Sequence, residues 1–402
     1  MDKQALLERN KLIAENGKLT RARRALQECK VFDLKIIDNK LKHSQKEAID
    51  RVFLEAKWYK NTIIACDNIQ KISTKKQNSV QVKMPDGSFE TRELKHLGSH
   101  QQQSILAQVK SNLKTLTTQK QNGRKVGRLN FVKEVNSIDL KQYGNSYRFK
   151  SATKVKVQGI PGYVRVRGAV QLQGYELANA KLVKKPSGYH LLITAFKNKE
   201  DFKEKEFVKG SKIGIDIGVK THLTLSNGEK HNVLIEETER LKRLQRKLSR
   251  QVKGSNNYHK TRGLIRKQYE YMNNKKNDAA NKLIHDLLNN YETIYMQDES
   301  LKAWVKKNGY VKAGRKLHHS ILGRVKAKLV QHDRVVVLKK WVPTTQLCGG
   351  ANCGVLNKHS LDEREYSCSC GYSFDRDTHA ALNMIRLSSV VSNIKKDKIL
   401  NT

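Results

Sequence analysis

The sequence has no long apolar run. Its longest are on the scale of Val335-Val336-Val337-Leu338, far short of the ~18 apolar residues that mark a membrane span. The opening MDKQALLERNK has no apolar signal core. These two absences argue against secretion and membrane insertion, and a cytoplasmic, nucleoid-associated location is the expectation. Acid is scarce as well: 38 Asp and Glu stand against 79 Lys and Arg in 402 residues, a formal net charge of +41. At 38% hydrophobic residues the chain is lean, yet its length suffices for two or three domains with modest cores. Aliphatic residues recur throughout and both signs of charge are present, which sets the chain apart from a disordered basic tail. A charge of this size repels itself, and a bound polyanion relieves the repulsion. Nucleic acid is the expected polyanion; an acidic protein partner or a small-molecule substrate fits the balance less well.

Cysteine is nearly absent outside one segment. Cys29 and Cys66 stand alone in helical-looking sequence and are expected as small buried residues. The other four, Cys348, Cys353, Cys368 and Cys370, form two close pairs spaced C-x4-C, fourteen residues, then C-x-C. Paired thiols at such spacing in a basic, non-secreted chain point to one tetrahedral zinc ion rather than disulfides, although neither pair has the commoner C-x2-C spacing. Four thiolates leave no open coordination position, so the zinc is expected to be structural, providing most of the folding energy of a small ribbon. Gly349, Gly350, Gly354 and Gly371 supply the backbone freedom that metal knuckles need.

Along the chain, residues 1–30 read as a charged helix with a stripe of Leu6, Leu7, Leu12 and Ile13, followed by a strand from Val31 to Ile37. Residues 43–72 are helical in pattern, Met84-Pro85-Asp86-Gly87 is a turn between two short strands, and 92–120 read as a polar helix. From Leu129 to about Phe207 the pattern is that of strands, including Tyr163–Arg167 and Ala169–Leu172, with Lys or Arg at many outward positions. A solvated sheet face or a phosphate-facing one fits that pattern. Beyond Gly210 come apolar strands at 211–218 and 221–235, basic helices over 236–290, a strand at 291–299, a helix at 311–331, a strand at 334–339 and a closing helix at 377–388. Within Arg240–Lys253 seven of fourteen residues are Lys or Arg, while Leu241, Leu244, Leu248 and Val252 form one stripe; this density favours nucleic acid over a merely solvated face.

The element order of 211–388 resembles the ribonuclease-H-like layout of a mixed sheet with helices. Enzymes of that layout cut phosphodiesters with two divalent ions held by carboxylates from separate elements. Asp216, in Ile213-Gly214-Ile215-Asp216-Ile217-Gly218, is costly among isoleucines unless it holds a cation or partner. The glycines beside it allow a backbone or a substrate to approach closely. The strand from Tyr291 runs into Gln297-Asp298-Glu299. Asp377 follows Asp375 at the start of an Ala-rich helix; Asp375 can serve as its cap, and Asp377 on the first turn can project into a site. His379 is either a packed histidine or a ligand.

Taken together, these segments resemble the transposon-encoded TnpB nucleases, relatives of the compact type V CRISPR effectors. The likeness lies in GIDIGVKTHLTLSNG, KRLQRKLSRQVKGS, YETIYMQDESLKAW, WVPTTQLCGGANCG and YSCSCGYSFDRDTHAALNMI, between Gly210 and Ile385. VFDLKII and FLEAKWYKN resemble the family's amino-terminal region more loosely. The family's second segment more often reads Glu-Asp-Leu. A gap-free extension puts Gln297 at that glutamate, whereas a shift of two keeps the strand face and puts Glu299 there, with Asp298 as the alternative. The third segment has His379 where Asn is common.

The resemblance implies an α+β multidomain protein: an N-terminal helix (1–30), a wedge β-barrel (31–43 and 129–208) with an inserted helical recognition lobe (44–128), an RNase-H-like RuvC nuclease (209–345 and 372–390), a zinc ribbon (346–371) and a tail (391–402). It implies an RNA-guided DNA endonuclease in which Asp216, Glu299 and Asp377 bind two Mg²⁺ ions at a single site that cuts both strands. Its partners would be a guide RNA and double-stranded target DNA with a short adjacent motif. Low aromatic content, 6%, suits recognition through the backbone more than base stacking. Three other readings compete. An inactive RNA-guided regulator would retain binding without the triad; a transposase or resolvase would bind transposon-end DNA without RNA. A basic zinc-ribbon factor of translation or transcription would need no carboxylates.

Overall fold

Cations alternate with Val along much of the first unit's sheet, and the alternation becomes inward burial and outward charge. A computed structural model describes residues 3–84, 86–202, 210–305, 314–360 and 363–399. The chain divides into two units, Met1–Lys203 and Glu204–Thr402.

The first unit begins with α1 (Lys3–Ala25) and continues with β1 (Gln27–Ile36), α2 (His43–Ala65), the hairpin β2 (Ser79–Lys83) and β3 (Phe89–Glu93), and α3 (Ser99–Gln121). Six further strands follow: β4 (Ser137–Leu140), β5 (Tyr147–Ser151), β6 (Lys154–Val157), β7 (Val164–Arg167), β8 (Glu176–Lys185) and β9 (Gly188–Asn198). Seven strands form a sheet in the order β4-β8-β9-β1-β7-β6-β5. It is a nearly closed, barrel-like sheet, and the loop after its edge strand β4 makes a bridge from Tyr143 to Tyr147 at the start of the other edge strand, β5. Leu34, Ile36, Val155, Val157, Val164 and Val166 point into one core, which continues through Ile49, Val52 and Phe53 of α2 to Leu106 and Val109 of α3. Glu55 of α2 is fully buried and accepts the backbone N–H groups of His96 and Leu97, both at 2.8 Å.

Several expectations are corrected here. The strand begins at Gln27, four residues before Val31, and Cys29 lies on it, exposed; Cys66 caps α2, also exposed. Neither thiol is in a core, because strand alternation and a helix end turn them outward. Of the α1 stripe, Leu7, Leu12 and Ile13 are exposed, and the Leu6 side chain is outside the described residues. Ala169–Leu172 is a 3₁₀ turn rather than a strand: Gly168, at φ 94°, ends β7 in the left-handed region.

In the second unit, β10 (Lys212–Ile217), β11 (Leu223–Leu225) and β12 (Lys230–His231) precede α4 (Glu239–Ser249) and α5 (Asn256–Asn290). Then come β13 (Thr293–Gln297), α6 (Leu301–Val305), α7 (Gly314–His319), α8 (Leu322–Leu329), β14 (Val335–Leu338), the hairpin β15 (Glu365–Ser367) and β16 (Ser373–Asp375), and α9 (Arg376–Ile399). The expected helix over 311–331 is thus two helices, its first three residues lying outside the described ones. The expected tail from 391 is helical to Ile399. The sheet order is β12-β11-β10-β13-β14, with β10, β13 and β14 parallel and β11 antiparallel to β10. Ile213, Ile215, Ile294 and Met296 pack with Ala280, Leu287, Leu322 and Val325 of α5 and α8. On the opposite face Tyr295, Leu338 and Val342 pack with Met384 of α9. Helix α4 seats Leu241, Leu244 and Leu248 against Ile265 and Met272 of α5, but Val252, past its end, is 79% exposed. Among the described residues no helix is long and apolar enough to cross a membrane.

Candidate active site and four-thiol centre

The two-residue period of β10 sends three isoleucines to one side and leaves Gly214 and Asp216 facing α9. A Cβ on Gly214 would stand 1.8 Å from the Ala381 carbonyl oxygen, so the α9 backbone rests directly on the strand. Gly218 is closed off in the same way by the Thr221 carbonyl, at 2.6 Å. The close approach these glycines permit is that of the protein's own backbone. α9 starts where the Asp375 carboxylate accepts the Thr378 N–H at 2.9 Å and its hydroxyl at 2.7 Å, an N-terminal cap. Asp375 also pairs with Lys230 at 2.8 Å. That leaves Asp377, on the first turn, free to act on Asp216.

The other wall is β13. Tyr295 is in register with Gly214 and shares the α9 face, and Gln297 follows at the strand's last position. Beyond it the chain separates two acids. Asp298 is exposed and pairs with Lys326 at 2.8 Å, which holds its carboxyl below the ordinary carboxylate range. Glu299 is half-buried and raised by that burial, with Lys326 opposing and Asp298 adding to it. The Lys326 ammonium also donates to the Glu299 carbonyl.

Asp216 feels all of this. Its carboxyl is pushed up to about 7, first by desolvation, then by the charges of Asp377 and Glu299, while the Ile217 N–H and Arg376 pull it back. Asp377 and Glu299, from two other parts of the chain, are thus the acids whose charges weigh most on Asp216. Three hard carboxylate oxygen donors suit Mg²⁺. Among the described residues, the group of three or more such side chains with ligating atoms all within 4.8 Å is the four cysteines, and the three carboxylates do not form one.

His379 is a packed residue. It is fully buried, stacks on Tyr366 with ring centroids 4.0 Å apart, and burial draws it down to about 4.

The thiols of Cys348, Cys353, Cys368 and Cys370 close on one another, Cys348 to Cys370 and Cys353 to Cys368 both at 3.6 Å. Zn–S bonds of about 2.3 Å in a tetrahedron require sulfur separations of about 3.8 Å, so the group fits structural zinc. The thiol of Cys368 is lowered to about 6, first by the Cys370 backbone N–H, which favours a thiolate. Gly354 and Gly371 take φ of 63° and 85°. Gly349 and Gly350 instead make space, for the Tyr372 ring and for the Cys348 and Cys370 sulfurs.

Two family models match the chain. OrfB_IS605, described as a probable transposase, covers residues 196–303; the TNB domain of Cas12f1-like proteins covers 318–384. The first spans Asp216 and Glu299, the second the four cysteines and Asp377. A Streptomyces pristinaespiralis protein provisionally named an RNA-guided DNA endonuclease is 32% identical over 179 residues, 43% of this chain and 44% of its own. InsQ of Escherichia coli K12, given the same provisional name, is 28% identical over 202 residues, 45% of this chain and 50% of its own. Over these matched segments, 196–303 and 318–384, the chain is similar to the TnpB family. In both pairings the match spans half or less of the relative's length. A cryo-EM structure of a Cas12f1–sgRNA–target DNA complex overlays 70% of this chain and 70% of that one, at 16% identity and a TM-score of 0.40.

The sheet of the first unit presents basic pairs across strands: Arg148 opposite Lys156, Lys154 opposite Arg165, and Lys35 opposite Arg167. Like charges directly opposite are destabilising, and no salt bridge joins these six to an acid among the described residues. Reading the chain alone did not identify these pairings, which depend on register, nor the role of Gln297. That side chain is buried; its amide N–H groups donate to the Val342 carbonyl at 2.7 Å and to those of Lys339 and Lys340, and its carbonyl accepts the Thr344 hydroxyl at 2.9 Å. Its only signal in the sequence is that it stands where the family's glutamate is expected.

Proposed function

We propose that this protein is an RNA-guided DNA endonuclease whose single nuclease site is built from Asp216, Glu299 and Asp377. The observation that carries the reading is the charge crowding at Asp216, raised to about 7 by burial, Asp377 and Glu299. An acid kept under that strain by three separate elements has a reason to exist if cations neutralise it. When bound, two Mg²⁺ ions would activate the attacking water and stabilise the leaving oxygen. Asp216, fixed by its strand and the Ile217 N–H, would hold the ions together with Glu299 and Asp377, and Arg376 would temper the local negative charge. Asp298, tied to Lys326, stays out.

The basic cross-strand pairs of the first unit would grip the phosphates of a guide RNA, and the α4 face bearing Arg243, Arg246, Lys247 and Arg250 would meet the nucleic acid backbone. Sequence would be read by guide pairing and a short motif beside the target. The nearly closed sheet supports the wedge-barrel reading for 31–43 and 129–208, with 44–128 as recognition lobe, 209–345 and 372–390 as nuclease and 346–371 as zinc ribbon. The names given to the two relatives support the same activity. The intact triad weighs against an inactive regulator.

The test is to express the protein with its native flanking DNA, purify it in high salt and sequence the retained RNA. One abundant RNA with a fixed structured part and an end continuing into flanking sequence is expected. It should direct Mg²⁺-dependent cleavage of matching DNA, lost in Asp216→Ala. Heterogeneous RNA that washes off with rising salt would overturn the reading in favour of an RNA-independent recombinase.

A further inference from the structure

The strand leading to Glu299 and the helix carrying Asp377 share the small core of Tyr295, Leu338, Val342 and Met384, and a buried polar chain joins them as well. From the end of β13, Gln297 accepts the Thr344 hydroxyl at 2.9 Å and donates to the Val342 carbonyl at 2.7 Å. The same Thr344 offers its carbonyl to the Asn383 amide of α9 at 2.9 Å, and Asn383 donates also to the Leu347 carbonyl at 2.7 Å, next to Cys348. Asn383 lies 3.1 Å from His379, whose ring stacks on Tyr366 of β15. Tyr366 in turn donates to the Gln346 carbonyl at 3.1 Å. Gln297, Thr344 and Asn383 are 7%, 1% and 0% exposed. Polar groups this deeply buried hold one arrangement, because any other leaves a donor or acceptor unpaired.

We infer that Gln297, Thr344 and Asn383 are positioning residues: they lock the strand leading to Glu299 and the helix carrying Asp377 to the segment that enters the four-thiol centre. The inference deepens the nuclease reading and rests on it. It assigns the glutamine at the family's expected glutamate position a holding task, with Glu299 two residues on serving as ligand. It also makes the thiol centre a support for the acids without touching them.

Loss of an outer partner of metal-ligating groups costs about 10–100-fold in metal affinity. The experiment is Mn²⁺ binding to the full, zinc-loaded chain, followed by electron paramagnetic resonance without guide or DNA. The proteins are wild type, Asp216→Ala, Thr344→Val, Gln297→Leu and the Thr344→Val/Gln297→Leu double variant, with zinc content measured for each. Thr344→Val, which removes only a hydroxyl, guards against a variant that fails to fold. Wild type should bind Mn²⁺ and Asp216→Ala should not. Each single relay variant should weaken binding about tenfold or more at unchanged zinc content, and the double variant should be no worse than the weaker single, as links of one chain. Relay variants that bind like wild type, or that add independently, overturn the relay alone. Equal binding by wild type and Asp216→Ala overturns the nuclease reading and the relay with it.

Discussion

At Asp216 a single residue carries opposite consequences for stability and for function. Its folded-state carboxyl titrates near 7 rather than 3.8. Between those values the folded protein binds a proton that the unfolded chain does not, so stability falls as pH rises from about 4 to about 7, and the penalty is complete above that. Asp216→Asn removes the penalty. In Mg²⁺-free buffer at pH 8 the variant should melt higher than wild type by roughly 8–16 °C, since a shift from 3.8 to about 7 corresponds to about 4 kcal/mol and a unit of this size shifts about 2–4 °C per kcal/mol. The gap should close as the pH approaches 4 and shrink or reverse when Mg²⁺ is added; a gap independent of pH would refute the account. Gly214 makes a second test. A methyl there meets the Ala381 carbonyl at 1.8 Å, so Gly214→Ala must push α9 off the strand. A loss of about 1–3 kcal/mol in denaturant unfolding is expected, together with loss of nuclease activity as Asp377 moves from Asp216.

Among the elements, the β15–β16 hairpin depends most on something outside itself. It is two three-residue strands with Tyr366 as its buried side chain, too little apolar area to stand alone. The four thiols are its fastening. Replacing Cys368 and Cys370 by Ser should remove stoichiometric zinc and render the 365–375 amides unprotected in hydrogen exchange, while β8 and β9 of the first unit keep their protection. Protection of 365–375 equal to wild type would show that the hairpin needs no metal. α4 is a contrasting case. Its Thr238 cap accepts the Leu241 N–H at 3.1 Å, its leucines face α5, and its cations are left to one side by the helical period alone.

The whole molecule is governed by its charge. At +41 the RNA-stripped protein repels itself, and the cross-strand pairs of cations concentrate that repulsion on the barrel-like sheet. Salt screens it, the Debye length falling from about 30 Å to about 3 Å between 0.01 M and 1 M. The melting temperature of RNA-free protein should therefore climb with NaCl, and bound RNA should give a comparable rise at low salt that adds little at high salt. A melting temperature that falls with NaCl would show that favourable ion pairs outweigh the repulsion.

Much of this was open to reading from the chain. The period-2 alternation of cations with Val announced the basic sheet, the isoleucines flanking Asp216 announced an acid in a strand, and the cysteine spacing announced a thiol centre. These are local signals, set by backbone geometry and ligand chemistry within a few residues. Register, packing and the choice between neighbours were decided only in the folded chain, because they depend on contacts between segments far apart in sequence. Strand alternation favours Glu299 over Asp298 on paper, but that Lys326 of α8 pairs with Asp298 is visible only in the fold. Gln297 looks like a lost ligand until Val342 and Thr344 close around it. Cys29 reads as buried until the strand is seen to begin early. Local pattern determined which residues are candidates for the chemistry, and tertiary packing determined which way each of them faces.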